Sequence, residues 1–296
     1  MKLGLGTVQF GMDYGISDQN SKTPLSEIKA ILQVAQENGI SVIDTAQSYG
    51  DSEHVLGEVL ANQNSFRIIT KTPVYKKKRI SSIEAKNIKN TFYDSLKKLR
   101  QSRIAGLLIH NADDLLTEGG DILFYAMQEL KEDKLVEKIG ASVYSGEQID
   151  SLLERYIFDL IQVPINVLDQ RLVHSGHLMK LKKHGIEIHA RSVFLQGLLI
   201  MEPISLPLFF DPIRPFLYRY WQFLLSQTLT PIEGAIGFVK QIPEIDCIII
   251  GVNNLEQLKI NLNSFAKLYN DSLFKNLKAF SLNDPKYLNP SLWRLN

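Results

Sequence analysis

The sequence predicts an α/β fold, a (β/α)8 TIM barrel forming a single domain. Three observations carry that prediction. Short apolar runs alternate with longer amphipathic stretches along nearly all 296 residues. The runs are continuously apolar rather than alternating in and out, as expected of strands covered on both faces. No linker rich in Gly, Ser or Pro divides the chain, so 1–296 reads as one unit. A doubly wound open sheet is the competing arrangement.

The strands are expected at 2–8 (KLGLGTV), 41–46 (SVIDTA), 67–72 (RIITKT) and 104–110 (IAGLLIH). The others fall at 136–143 (VEKIGASV), 160–166 (LIQVPIN), 187–193 (EIHARSV) and 247–252 (CIIIGV). The glycine-rich opening GLGTVQFG looks like a dinucleotide fingerprint, but Gln9 stands where the third glycine belongs, so tight turns at the barrel mouth are expected instead. In LSEIKAILQVAQENGI, Ile28, Ile31, Leu32 and Ala35 recur at helical spacing and ENG supplies a stop. SSIEAKNIKNTFYDSLKKLR and GDILFYAMQELKEDK read as helices in the same way. Prolines 203, 207, 212 and 215 make roughly 199–215 a long loop ahead of a helix. Placed after strand seven, that loop is expected at the barrel mouth, where it can touch substrate.

Composition excludes several classes of function. Lys and Arg number 33 against 32 Asp and Glu, which gives no support to a nucleic-acid partner. No run approaches the roughly 18 apolar residues of a membrane span, and no export segment is read at the N-terminus. Cys247 has no second cysteine to pair with, so a cytoplasmic location is expected. The histidines of HSGH, 174–177, lack further ligands, so no metal is expected. The run KKKR, 76–79, reads as a solvated loop, with attraction of an anionic substrate as the functional alternative. Tyr218 and Trp221 read as helix-packing residues. The chain is expected as a monomer or weak homo-oligomer.

Catalytic groups of such a barrel project from the C-terminal ends of the strands. Strand two ends in Asp44 with Tyr49 in the loop behind it, strand three in Lys71 and strand four in His110. Each residue alone has an ordinary structural explanation; together on one rim they define a chemistry. A phenol is a poor proton donor at neutral pH. A lysine ammonium beside it stabilises the phenolate, a carboxylate beside the lysine keeps the ammonium charged, and a histidine can bond the oxygen that the tyrosine protonates. The result is a general acid aimed at a carbonyl oxygen.

VIDTAQSYGDSEHVLG, IITK and LLIHN resemble the aldo-keto reductase family, NAD(P)H-dependent (β/α)8 barrel oxidoreductases. The resemblance extends to GLGTVQFG, GASVYS, IQVPIN, ARSVFLQGLL and IIGVNNLEQLKINL, nearly the whole chain. It implies that Asp44, Tyr49, Lys71 and His110 are the catalytic tetrad. It implies that Ser142 and Gln162 hydrogen-bond the nicotinamide carboxamide. Val143 departs from the family's Ser-Asn pair, leaving one contact absent or supplied by Asn166. Arg191 stands where many members stack an aromatic ring on the nicotinamide; it either lies flat on that ring or pairs with an acid. Ser192, Phe194, Gln196 and Gly197 match the pyrophosphate-lining stretch. Gly251, Val252, Asn253, Gln257 and Asn261 match the adenosine end, and Gly6, Thr7 and Asp44 complete the cofactor set. NADPH is the family's habit, but loop 251–254 lacks the usual basic residue and Lys259 is the only cation nearby, so NADH stays open.

The resemblance implies a carbonyl reductase. Two alternatives remain at this stage: a low-turnover cofactor-binding regulatory subunit on the same barrel, and a lyase using Lys71 as a Schiff-base amine. RSVFLQGLL and GTVQFGMDYGI are similar to a branch of the family found among bacterial surface-polysaccharide genes, which points to a sugar-derived carbonyl.

Overall fold

Eight parallel strands close on themselves in chain order, from β1 (Lys2–Gly6) through β2 (Val42–Asp44), β3 (Arg67–Lys71), β4 (Ile104–Ile109), β5 (Val136–Ser142), β6 (Leu160–Pro164), β7 (Glu187–Arg191) and β8 (Cys247–Gly251). This is a computed structural model, and it describes residues 1–16, 22–60 and 66–295. Closure is made by β1 against β8, from Lys2↔Cys247 to Gly6↔Gly251. An open doubly wound sheet is thereby excluded.

Each strand stops short of the predicted C-terminal end. The residues beyond it, such as Thr45, Thr72 and Val143, stay buried but leave the ladder to build the rim. Their backbone donors are still satisfied across the rim: Thr45 N bonds Ile69 O at 2.8 Å and Thr72 N bonds Leu108 O at 2.9 Å. Apolar character therefore outlasts strand geometry.

The helices follow the predicted periodicity. Leu25–Glu37 buries Ile28, Ile31, Leu32 and Ala35. Ser82–Leu99 begins with a capping box between Ser81 and Glu84 and ends at Arg100 in a left-handed conformation. These helices pack on the outside of the barrel. Inside it, Val42, Ile69, Leu108, Leu160, Cys247 and Ile249 form a separate apolar cluster. Val42 and Ile69 lie two residues before Asp44 and Lys71, hence on the same side of their strands. The cluster is the dry floor beneath those polar groups.

The segment after β7 departs from expectation. Roughly 199–215 contains two 3-10 turns, Pro203–Ser205 and Leu208–Ile213, before the helix Arg214–Ser226. Phe210 packs on Trp293 at 5.0 Å between ring centroids and Phe209 on Tyr287 at 5.7 Å. Of this stretch only Ile200 lines the mouth cavity. The rest is drawn to the outer shell because its aromatics find a second apolar surface there. Trp221 packs against the core and Tyr218 is partly exposed; neither reaches the cavity. No helix among the described residues is long and apolar enough to cross a membrane.

Candidate active site

Asp44 and Lys71 leave the ends of adjacent strands and form a buried ion pair, Lys71 Nζ to Asp44 Oδ2, of 2.6 Å. The ammonium also donates to the Thr45 carbonyl at 2.9 Å. Side-chain exposure is 1% for Lys71 and 6% for Asp44, so neither charge is hydrated and each depends on the other. The second Asp44 oxygen accepts from Gln162 Nε2 at 2.8 Å. Burial by itself pushes the Lys71 ammonium toward neutrality. The Asp44 carboxylate and its hydrogen bond, with a contribution from Tyr49, more than reverse this and hold it above the usual lysine range. An amine kept protonated in this way is a poor nucleophile, which removes the chemistry of the Schiff-base alternative.

The Tyr49 ring lies with its centroid 5.1 Å from Lys71 Nζ. Glycine backbone places it there. A Cβ at Gly11 would stand 1.7 Å from the Tyr49 carbonyl oxygen, and Gly50 adopts φ +54° with its own Cβ position 2.4 Å from the Gly11 oxygen. Only a side-chain-free pair allows the β1 and β2 loops to touch this closely. Below them Thr7, Thr45 and Ser52 form a buried hydroxyl cluster, Ser52 Oγ donating to the Thr7 carbonyl at 2.8 Å. Glu53 accepts from Thr70 at 2.7 Å and Ser95 at 3.0 Å, tying the helix after Tyr49 to β3.

His110 meets Tyr49 edge to face, with ring centroids 6.0 Å apart. Ser48 Oγ lies 3.4 Å from its Nδ1. Burial first, then the Lys71 and Arg191 cations, pull the His110 imidazole down to about 3. The ring is therefore neutral at physiological pH and can donate one hydrogen bond without carrying charge. The native protein resists protonating it until about 3, whereas the unfolded chain takes up that proton near the ordinary histidine value. Its contribution to stability is accordingly present at neutral pH and declines as pH falls below that ordinary value. We expect the His110 ring resonances to stay constant from about pH 8 to pH 5 in an NMR titration. A midpoint inside that window is incompatible with this site.

A cavity of about 480 Å³ opens beside these four side chains. Gly6, Thr7, Asp44, Ser142 and Gln162 line its inner end. Arg191, Ser192, Phe194, Gln196 and Gly197 form one wall, and Gly251, Asn253, Gln257 and Asn261 form the far end. Val252 is different: its side chain is fully buried in the core and does not line the cavity. Asn166 does not line it either. Its carbonyl caps Leu168 N and Asp169 N, each at 2.9 Å, and its amide donates to the Ser192 carbonyl.

Of its two expected arrangements, Arg191 does not take the ion pair. It pairs with no acid among the described residues, and its face is covered by Tyr144, 4.3 Å from the ring centroid. Its donors reach Ser142 Oγ, Ser192 Oγ and the Val143 carbonyl at 3.1–3.2 Å. Tyr144 was missed in the sequence, where its signal was an aromatic residue just past an apolar run. Gln9 was missed as well, with no local signal. It lines the cavity, and its Oε1 is buried without a partner beside Gly251. Three residues of the wall, Ser192, Leu195 and Gln196, hold left-handed φ of +58°, +48° and +53°. Non-glycine residues rarely adopt this region, and such strain concentrates at functional sites.

The run 76–79 stays outside the cavity. Lys77 pairs with Glu84 and Arg79 with Glu118, which fits the solvated-loop reading. His177 bonds Asp150 and Ser175. No group of His, Cys, Asp and Glu among the described residues could hold a metal.

A closed barrel with a phenol, a buried ammonium–carboxylate pair and a neutral imidazole at one end of an elongated groove defines the architecture of a barrel oxidoreductase. A family model described as the Aldo/keto reductase family matches residues 2–281, and the chain belongs to that family. A curated relative, aldo-keto reductase YhdN of Bacillus subtilis (strain 168), is 28% identical over 184 residues, 59% of this chain. The match spans 53%, about half, of that relative's length. Among solved structures, aldo-keto reductase AKR11C1 from Bacillus halodurans (holo form) superposes with a TM-score of 0.75 at 19% identity, covering 94% of this chain and 91% of that one. The glycerol dehydrogenase AKR11B4 from Gluconobacter oxydans gives 0.74 at 22% identity, covering 97% and 92%. These two likenesses concern the fold.

Proposed function

We propose that this protein is an NAD(P)H-dependent carbonyl reductase that converts a small aldehyde or ketone to the alcohol. The observation carrying this reading is the Lys71–Asp44 pair, which is buried at the cavity floor within reach of Tyr49. A surface lysine could pair with an acid for no chemical reason. A pair desolvated this far is retained at a cost of several kcal/mol per ion unless something uses its field.

The residues present suit a dinucleotide. Gln162 spends its amide nitrogen on Asp44 and leaves Oε1 buried without a partner, an acceptor available to a carboxamide N–H. Gln9 Oε1 repeats this further along the groove. A bound nicotinamide cofactor supplies the hydride that reaches the carbonyl carbon. Tyr49 donates its phenolic proton to the carbonyl oxygen, so that the π bond of C=O gives way to new C–H and O–H bonds while the C–O single bond remains. Lys71 stabilises the phenolate left behind, which is reprotonated from solvent. Neutral His110 bonds the same substrate oxygen and orients it. Met12, Tyr14, Ser48 and Tyr144 surround this end of the groove. Hydroxyls interleaved with apolar faces suit a small hydroxylated carbonyl compound, in keeping with a sugar-derived substrate.

The test is a single turnover of enzyme-bound NADH or NADPH against a panel of small aldehydes and hydroxyketones, followed by cofactor absorbance. Stoichiometric oxidation is expected. A cofactor that binds but survives the whole panel favours the regulatory alternative.

A further inference from the structure

We infer that Glu27 is a specificity-determining residue that makes this site select NADH over NADPH. The inference rests on the proposed function, with the nicotinamide at the Gln162 end of the groove. The opposite half of a dinucleotide then reaches the far end, where Asn253, Gln257 and Asn261 line the cavity. Asn261 is 3% exposed and lines the cavity, so its amide faces a ligand placed there.

That end of the groove abuts the N-terminus of the helix Leu255–Ala266, where free N–H groups ordinarily attract an anion. Here this chain's own oxygens take two of them, on Leu255 and Gln257, and one on Asn253 just before the helix. Glu27 Oε1 accepts from Leu255 N at 2.5 Å, Asn254 Oδ1 from Gln257 N at 2.9 Å, and Gln257 Oε1 from Asn253 N at 2.8 Å. The first of these acceptors is a carboxylate brought from the helix Leu25–Glu37. Glu256 adds a second acid in the first turn. From 251 to 262 the only cation is Lys259, which is exposed. Lys29, two residues from Glu27, lies on another face of its helix.

The two cofactors differ only at the adenosine ribose. A 2′-hydroxyl is neutral and can donate to a carboxylate. A 2′-phosphate carries nearly two negative charges and only acceptor oxygens. It meets a helix end where Leu255 N and Gln257 N are already bonded and where Glu27 and Glu256 add negative charge. The hydroxyl is accepted there, and the phosphate is repelled.

The experiment is a fluorescence titration of wild type, Glu27→Gln and Glu27→Ala with NADH and NADPH. Wild type should bind NADH at least about tenfold more tightly, a ratio that one like-charge contact in partly screened surroundings can supply. Glu27→Gln keeps an acceptor for the Leu255 N–H and removes the charge. It should shrink the ratio at least about fivefold by tightening NADPH, with NADH affinity within about threefold of wild type. Glu27→Ala should shrink it in the same direction. Wild type that binds NADPH as tightly as NADH overturns the inference and leaves the reductase reading standing. So does a ratio unchanged in both variants. If wild type binds neither cofactor, the reductase reading and this inference both fall.

Discussion

Replacing Tyr49 with phenylalanine will leave a folded protein that binds a nicotinamide cofactor and reduces carbonyl substrates about 10²–10⁴-fold more slowly. The expectation follows from what the substitution spares. The ring keeps its edge-to-face contact with His110, and the Gly11–Gly50 approach that sets the loop involves backbone alone. The Lys71–Asp44 pair loses one neighbour but keeps its 2.6 Å contact and the Thr45 carbonyl. What disappears is the phenolic proton that the proposed mechanism delivers to the substrate oxygen. Hydride transfer would then generate an alkoxide with no phenol beside it to neutralise it. Cofactor affinity by titration and kcat with a responsive aldehyde separate the two effects. Turnover equal to wild type removes Tyr49 from the mechanism.

Lys71→Met should be the more damaging substitution, because it acts on stability and on catalysis together. Asp44 would remain buried, bonded to Gln162 and facing no cation. Breaking one side of a buried ion pair costs about 3–5 kcal/mol. The loss should show in denaturant unfolding at neutral pH. Reduction should fall at least about 10²-fold, since the field that stabilises the phenolate is gone. The double variant Asp44→Leu with Lys71→Met separates the effects: it should recover much of the stability and none of the activity. If Lys71→Met alone retains both wild-type stability and turnover, the buried pair is not what the chemistry depends on.

The parts of this site that were legible in the sequence share a physical origin. Asp44, Lys71 and His110 each terminate an apolar run, and a buried run that ends in an ionisable group advertises the rim of a barrel. The helix over 82–99 was equally plain, because its cap and its periodicity are local. What escaped notice depends on distant partners. Glu27 meets Leu255 across 228 residues of chain, and nothing near either position records it. Asn166 looked available for a ligand because its use as a cap for its own loop is invisible without coordinates. The contact between Arg191 and Tyr144 was not foreseen either, although Tyr144 stands only one residue beyond the end of the neighbouring rim segment that holds Val143. The loop over 199–215 was recognised from its prolines, but prolines say where a chain turns and not which surface it then covers.

Gln162 donates to one Asp44 oxygen while Lys71 holds the other, so a single carboxylate keeps an amide and an ammonium in fixed orientation. That amide cannot turn over without abandoning a charged partner in a dry place. On the proposed mechanism, the reactive centre and the recognition of its coenzyme are consequently one mechanical unit. Variation in what such a site accepts is freest in the outer loops, at exposed positions such as Met12.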